Sequence, residues 1–265
     1  MKIRSRRRRV RGASDHATVV EHLSELRFRI VRSLLAVAIG MLLVLLQYER
    51  LLEFLTEPYR TICKQKPNLK CNGTLYGLGP IDGFSARMRI SVYGGVILAL
   101  PVIVWQVWKF VAPALHRNER RYAVGFITST VSLFALGAYL AYWTLGRSLE
   151  FLISWSGTDV EQAYQITKYV NLVFFMVLAF GIGFLFPVVI VFLQLTNILT
   201  PVQLVRQWRW AIMIIFVTAA VMTPDGSPVS LFALSIPMCL LYVIAILIGY
   251  FVAWRRRKRA MTESQ

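Results

Sequence analysis

Acid is what this chain has least of. Thirteen Asp and Glu stand against 30 Lys and Arg, a formal net charge of +17, and charged residues make up only 16% of the 265, against roughly 25% in ordinary soluble domains. Histidine and cysteine are rare too, with three of each. No Gly-x-Ser-x-Gly, His-Glu-x-x-His or phosphate-loop motif occurs, and no spacing suits a metal. The histidines, His16, His22 and His116, fall outside the apolar runs. Those runs lack the ionisable residues that mark proton relays and ion paths. An enzyme and a conventional secondary transporter are both disfavoured, and no catalytic residue, metal or cofactor is expected.

Apolar residues, by contrast, are abundant: 57% of the chain, with a mean hydropathy of +0.57. Several runs approach the roughly 20 residues that cross a bilayer as a helix. An all-α, polytopic membrane protein is expected. The positive charge gathers at both ends beside apolar segments, a pattern of membrane topology rather than of nucleic-acid binding.

Residues 1–29 open on Arg6-Arg7-Arg8-Arg9 and continue as a cytoplasmic amphipathic helix, with Val19, Val20, Leu23, Leu26 and Ile30 at helical spacing. A six-helix transmembrane domain follows over residues 30–252, and residues 253–265 form a basic cytoplasmic tail. The Arg-rich start resembles a secretory signal, but no small-residue cleavage site follows the first apolar run (30–47), so it reads as a retained anchor. Residues 48–83 read as a polar loop holding Cys63 and Cys71. In an oxidising compartment a disulfide would close that loop; two free thiols are the alternative. The second span (84–112) should stop near Pro113, where a backbone donor is missing and helix is disfavoured at Ala112. The third span covers about 122–144, a second polar loop 146–168, and the fourth span 169–195. The last two spans are short: 210–222 is too brief for a normal bilayer. That hairpin reads as re-entrant or as two spans through thinned bilayer. Two spans leave both Arg-rich ends on one side.

Counting Lys and Arg tests this topology. Nineteen fall on the side of the termini and seven on the other, so the positive-inside bias puts both termini in the cytoplasm of a cell (plasma or inner) membrane. Outside the C-terminal tail, that basic face carries four acids: Asp15, Glu21, Glu25 and Glu119. Pairing with local arginines is the plain reading of Glu25 and Glu119. Accepting guanidinium groups from a partner is the other.

HLSELRFR (residues 22–29) and WQVWKFVAPALHRNERR (residues 105–121) closely resemble two motifs of the TatC family, the polytopic receptor subunits of twin-arginine protein translocases. Pro58, Phe84, Arg89 and Phe-Gly-x-x-Phe-x-x-Pro at 180–187 fit as well, and the likeness covers about 18–252. The resemblance implies that Glu25 and Glu119 recognise the paired arginines of a folded cargo's signal peptide, with Phe110, Arg121, His22, Leu23 and Arg27 shaping the site. It implies assembly with TatA- and TatB-like single-span proteins, self-association in the receptor complex, and transport driven by the proton-motive force. Two carboxylates suit two planar guanidiniums better than two lysines. Departures exist. Leu185 stands where the family often has an acid or amide, and the acid after the Thr-Pro turn aligns with Asp225 or Ser227. Thr223 and Asp225 are candidate contacts for partner helices, with a helix-end cap as the alternative for Thr223. A six-span permease for a small solute is the competing function.

Overall fold

The structure is a computed structural model that describes residues 9–66, 71–111, 123–156, 162–195 and 198–263. Helix α1 (Arg9–Leu46) is 38 residues long, about 57 Å at 1.5 Å per residue. The sequence suggested two pieces, a surface helix and a span. The backbone instead runs through residue 30 without a break, because no proline precedes Pro58 and nothing interrupts the hydrogen-bond ladder.

The expected polar loop after α1 is largely ordered secondary structure. Helix α2 (Tyr48–Gln65) follows a single turn residue, and strand β1 (Cys71–Tyr76) follows it. The apolar residues Leu51, Leu55, Tyr59 and Ile62 recur every three or four positions, so one helical face seeks burial. Pro58 sits inside α2 and removes the donor that Phe54 O would ordinarily meet. The Tyr142 hydroxyl donates to that carbonyl instead, at 2.9 Å. Tyr169 donates to the neighbouring Leu55 O at 2.8 Å.

Helix α3 (Asp82–Val111) and helix α4 (Ala123–Trp155) come next. Helix α4 extends eleven residues past the expected end of the third span, into what reads from sequence as loop. Strand β2 (Gln162–Gln165) pairs in parallel with β1, Leu75 opposite Tyr164 and Tyr76 opposite Gln165. The fourth apolar run is two helices, α5 (Ile166–Gly183) and α6 (Phe186–Leu195). Pro187 lacks an N–H and disfavours helix just before it, so the ladder gives way at Phe184-Leu185. A short α7 (Pro201–Arg206) opens with a Thr200/Gln203 capping box. Helix α8 (Trp208–Met222) has 15 residues, about 22 Å, short of a roughly 30 Å hydrocarbon layer. Helix α9 (Pro228–Glu263) closes the described chain.

Among the described residues, five helical segments are long and apolar enough to cross a membrane, α5 and α6 counting together as one, and α8 is a shorter apolar helix. The core gathers on α5, where Val170, Val173 and Phe180 are buried against Tyr59, Leu145, Leu149 and Leu234. Helix α1 is peripheral. It leans on α3 and leaves Leu34, Leu35, Ile39 and Leu42 exposed.

Candidate functional site

One end of the molecule carries the first motif and residues 105–111 of the second, and the α1–α3 pair fixes how these parts stand to each other. The helices are antiparallel, and three observations give their register. A Cβ added at Gly40 would lie 2.7 Å from Gly95 O, and one at Gly95 only 2.6 Å from Met41 N. The two backbones touch, as small residues allow between membrane helices. Eight residues on along each chain, the Arg87 guanidinium lies over the Tyr48 ring at 4.9 Å. Eleven residues the other way, Arg29 Nη1 donates to Gln106 O at 3.3 Å. On α1 and α3 themselves the register holds from Gly40 to Arg29, about 16 Å of helix, and the Arg87 contact extends it to Tyr48, the first residue of α2. Four residues further on, Glu25 is level with Phe110. The structure thus brings these two candidates to one height on neighbouring helices.

Glu25 is exposed on α1 and forms an ion pair with Arg29, one turn along the same face. Arg27 is exposed beside it, and Phe110 is half-buried. His22 and Leu23 lie on α1, with side chains outside those described, while Glu119 and Arg121 lie outside the described residues altogether. Below Phe110 the two tryptophans divide their roles. Trp105 is 42% exposed, with Lys109 Nζ 5.2 Å from its ring, the arrangement of an aromatic at a membrane–water boundary. Trp108 is 6% exposed and packs on Phe126 and Phe192, with centroids 4.7 and 5.9 Å away. That cluster ties α3 to α4 and α6. It roofs an apolar groove of about 330 Å³, whose walls include Pro187, Val191, Leu241 and Ile244.

The family model that describes TatC, the Sec-independent protein translocase protein, matches residues 21–237. The chain belongs to the TatC family. It is 36% identical to the Sec-independent protein translocase protein TatC of Frankia casuarinae over 96% of this chain and 72% of that one. It is 35% identical to the TatC of Aquifex aeolicus, over 91% and 97%. A crystal structure of the twin-arginine translocase receptor TatC superposes with a TM-score of 0.70 at 32% identity, covering 88% of this chain and 99% of that one. The chain is a multi-pass membrane protein and a component of a Sec-independent translocase.

The opposite end of this TatC-family fold is fastened differently. Cys63 and Cys71 form a disulfide with Cα atoms 5.5 Å apart, which binds β1 to the end of α2. Asp82 Oδ2 accepts from Leu78 N at 2.8 Å, Gly79 N at 3.0 Å and Gln165 Nε2 at 2.9 Å, joining the start of α3 to β2. Lys66 pairs with Glu150. Tyr59 is fully buried against Tyr164 and Tyr169, and burial pushes its phenol up to about 12, with Tyr164 and Tyr76 adding to the effect.

Thr223 is buried at the end of α8, its N–H on Ala219 O at 3.0 Å. Asp225 faces into its own turn and accepts from Ser227 at 2.5 Å and Ser230 at 2.6 Å. Leu185 lies at the α5–α6 break, on an apolar groove beside Ile214, Ile215 and Thr218. A buried amide does exist in this region, nine residues later. Gln194 is 7% exposed, and its Nε2 donates to Ala245 O at 3.3 Å. Its Oε1 fills the space where a Cβ on Gly249 would sit. Sequence reading passed over Gln194, and over Arg29 although its four-residue offset from Glu25 signals an ion pair.

Proposed function

We propose that this chain is the membrane receptor and scaffold of a twin-arginine translocase, not an enzyme. It crosses the cell membrane six times, α8 being the short fifth span, with both termini in the cytoplasm. Residues 1–29 and 253–265 are basic cytoplasmic segments around the 30–252 membrane domain. Glu25 and Glu119 take the paired arginines of a folded cargo's signal peptide, and His22, Leu23, Arg27, Phe110 and Arg121 shape the pocket around them. Each guanidinium offers parallel N–H groups to a carboxylate, a fit that an ammonium lacks. The many cations nearby repel loosely matched ligands. TatA- and TatB-like single-span proteins join the complex, with Thr223 and Asp225 as contact candidates, and the proton-motive force drives export. The receptor units also associate with one another.

The observation that carries this reading is the α1–α3 register. It sets Glu25 level with Phe110, where α3 leads into the Glu119 segment. Family membership supports it and weighs against the solute permease. The test is photo-crosslinking from probes placed around Glu119, using Arg-Arg and Lys-Lys versions of one signal peptide. Strong labelling by the Arg-Arg peptide alone is expected; equal labelling by both refutes the receptor reading.

A further inference from the structure

We infer that the cleft between α1 and α4, closed on one side by α2, is a phospholipid-binding site. It takes an acyl chain from a lipid of the leaflet at the disulfide end, and Arg50 holds that lipid's phosphate. Only the membrane setting of the helices is needed, whichever side the termini face.

The cleft follows from the packing. Helices α1 and α4 both lean on α3, while α2 packs against α4. Between them runs a groove of about 600 Å³, and the short side chain of Ala138 leaves room in it. Leu43, Leu98 and Tyr139 line this groove and are exposed. They belong to three of the segments long and apolar enough to span, so the groove opens to hydrocarbon and not to water. Walls with no partner atoms forfeit dispersion contacts, and a lipid tail restores them.

Arg50 distinguishes the groove from an ordinary gap in the lipid-facing surface. The lining residues around α2 are Gln47, Arg50, Leu51, Phe54 and Leu55. Their spacings of three and four trace one helical face, with one cation on it. Glu49 and Glu53 fall away from that face. Glu57, two turns beyond Arg50, accepts from Thr61 Oγ1 at 3.1 Å. Among the described residues no carboxylate lies within ion-pair distance of Arg50. A guanidinium offers parallel donors that match two phosphate oxygens, and the exposed Gln47 amide adds another donor. Arg50 comes four residues after Leu46, where the first apolar segment ends, which is the level of the headgroups. Helix α2 is also fixed against α4. The Phe54 ring stacks on Tyr142 with centroids 4.4 Å apart, and Tyr142 donates to Phe54 O. The phosphate donors and the tail groove therefore keep a constant relation.

The experiment places the full chain in micelles of an uncharged maltoside detergent. Two probes share one photoreactive acyl chain: phosphatidylglycerol, and a diacylglycerol that lacks the phosphate. Crosslinked peptides are mapped by mass spectrometry. Phosphatidylglycerol should label residues 94–98 and 138–142 first, at a lower concentration than diacylglycerol. Arg50→Gln should raise the phosphatidylglycerol concentration needed about fivefold, the effect of one basic residue on an anionic lipid, and leave diacylglycerol unchanged. Arg50→Lys keeps the charge without the fork, so it should fall between, and it decides by the same reading should Arg50→Gln not fold. Ala138→Leu narrows the groove and should reduce labelling there by both probes. Labelling spread over all exposed helices in proportion to apolar surface overturns the inference, as does phosphatidylglycerol labelling that ignores both Arg50 variants. A groove free of lipid label that instead gives protein–protein crosslinks from a photoreactive residue at Leu98 belongs to a second copy or a partner helix, and that result overturns it too.

Discussion

The two ends of this bundle are built on different principles. At the disulfide end a covalent bond, a strand pair, the Asp82 cap and two tyrosine-to-carbonyl bonds hold α2 down. At the other end, among the described residues, Arg29 donates to Gln106 O and pairs with Glu25, while Glu25 and Arg27 stay exposed. Fastenings close one surface and leave the other open. The difference also decides which perturbations each end feels.

The largest expected effect is at the helix contact. Gly95→Leu forces a side chain where a Cβ already lies 2.6 Å from Met41 N, an overpacking cost of about 2–3 kcal/mol or more. Arg-Arg peptide binding should fall by more than tenfold while the Cys63–Cys71 bond still forms, as checked by peptide binding and non-reducing mass spectrometry. Loss of the disulfide in this variant would show that the ends are not independent. Replacing both cysteines by serine reverses the comparison. In a loop-entropy account, opening a ring of this size removes roughly 2–3 kcal/mol. Hydrogen exchange across residues 48–76 should accelerate, with peptide affinity held within about twofold.

Tyr142→Phe is milder. It strips Phe54 O of its outside donor and should cost about 1–2 kcal/mol in thermal unfolding; Pro58→Ala in the same background should recover part of that by restoring the in-helix donor. Salt should separate the ends more gently still. Raising it from 0.05 to 0.5 M shortens the screening length from above to well below about 10 Å, weakening peptide binding several-fold with little change in cap exchange rates. The smallest effect is alkaline. Tyr59 has a folded pKa raised to about 12 above an ordinary value near 10, so its contribution is intact below pH 10 and lost as pH climbs toward 12. Tyr59→Phe should remove that component from the pH dependence of cap exchange.

How much of this was legible in the sequence follows from what each part depends on. Long apolar runs announce membrane helices by composition alone, and the break at Pro187 follows from proline chemistry; the expected stop near Pro113 lies outside the described residues. The cap did not announce itself. Pro58, Pro67 and the glycines that follow made residues 48–83 look like loop, although Leu51, Leu55, Tyr59 and Ile62 already traced a helical face. Strands β1 and β2 lie some ninety residues apart and are short, so no local pattern joins them. At the candidate site, Glu25 and Phe110 came from motif resemblance. That they stand level depends on Gly40 meeting Gly95, a packing fact with no local signature. Gln194 was hidden for a related reason: one amide in an apolar run looks incidental until Gly249 opposite makes room for it.

The strand pair also has a consequence in time. β1 ends at Tyr76, but its partner ends at Gln165, so the chain must grow by 89 further residues before the sheet can close. At synthesis rates of about 5–20 residues per second, that is a delay of roughly 4–18 s. During that interval Phe54 O awaits Tyr142, and Tyr59 awaits Tyr164 and Tyr169. Cys63 and Cys71, eight positions apart, are already both present. Apart from the local Asp82 bonds to Leu78 and Gly79, the disulfide is the cap fastening open to a half-made chain, so it holds β1 near α2 until the rest of the protein arrives.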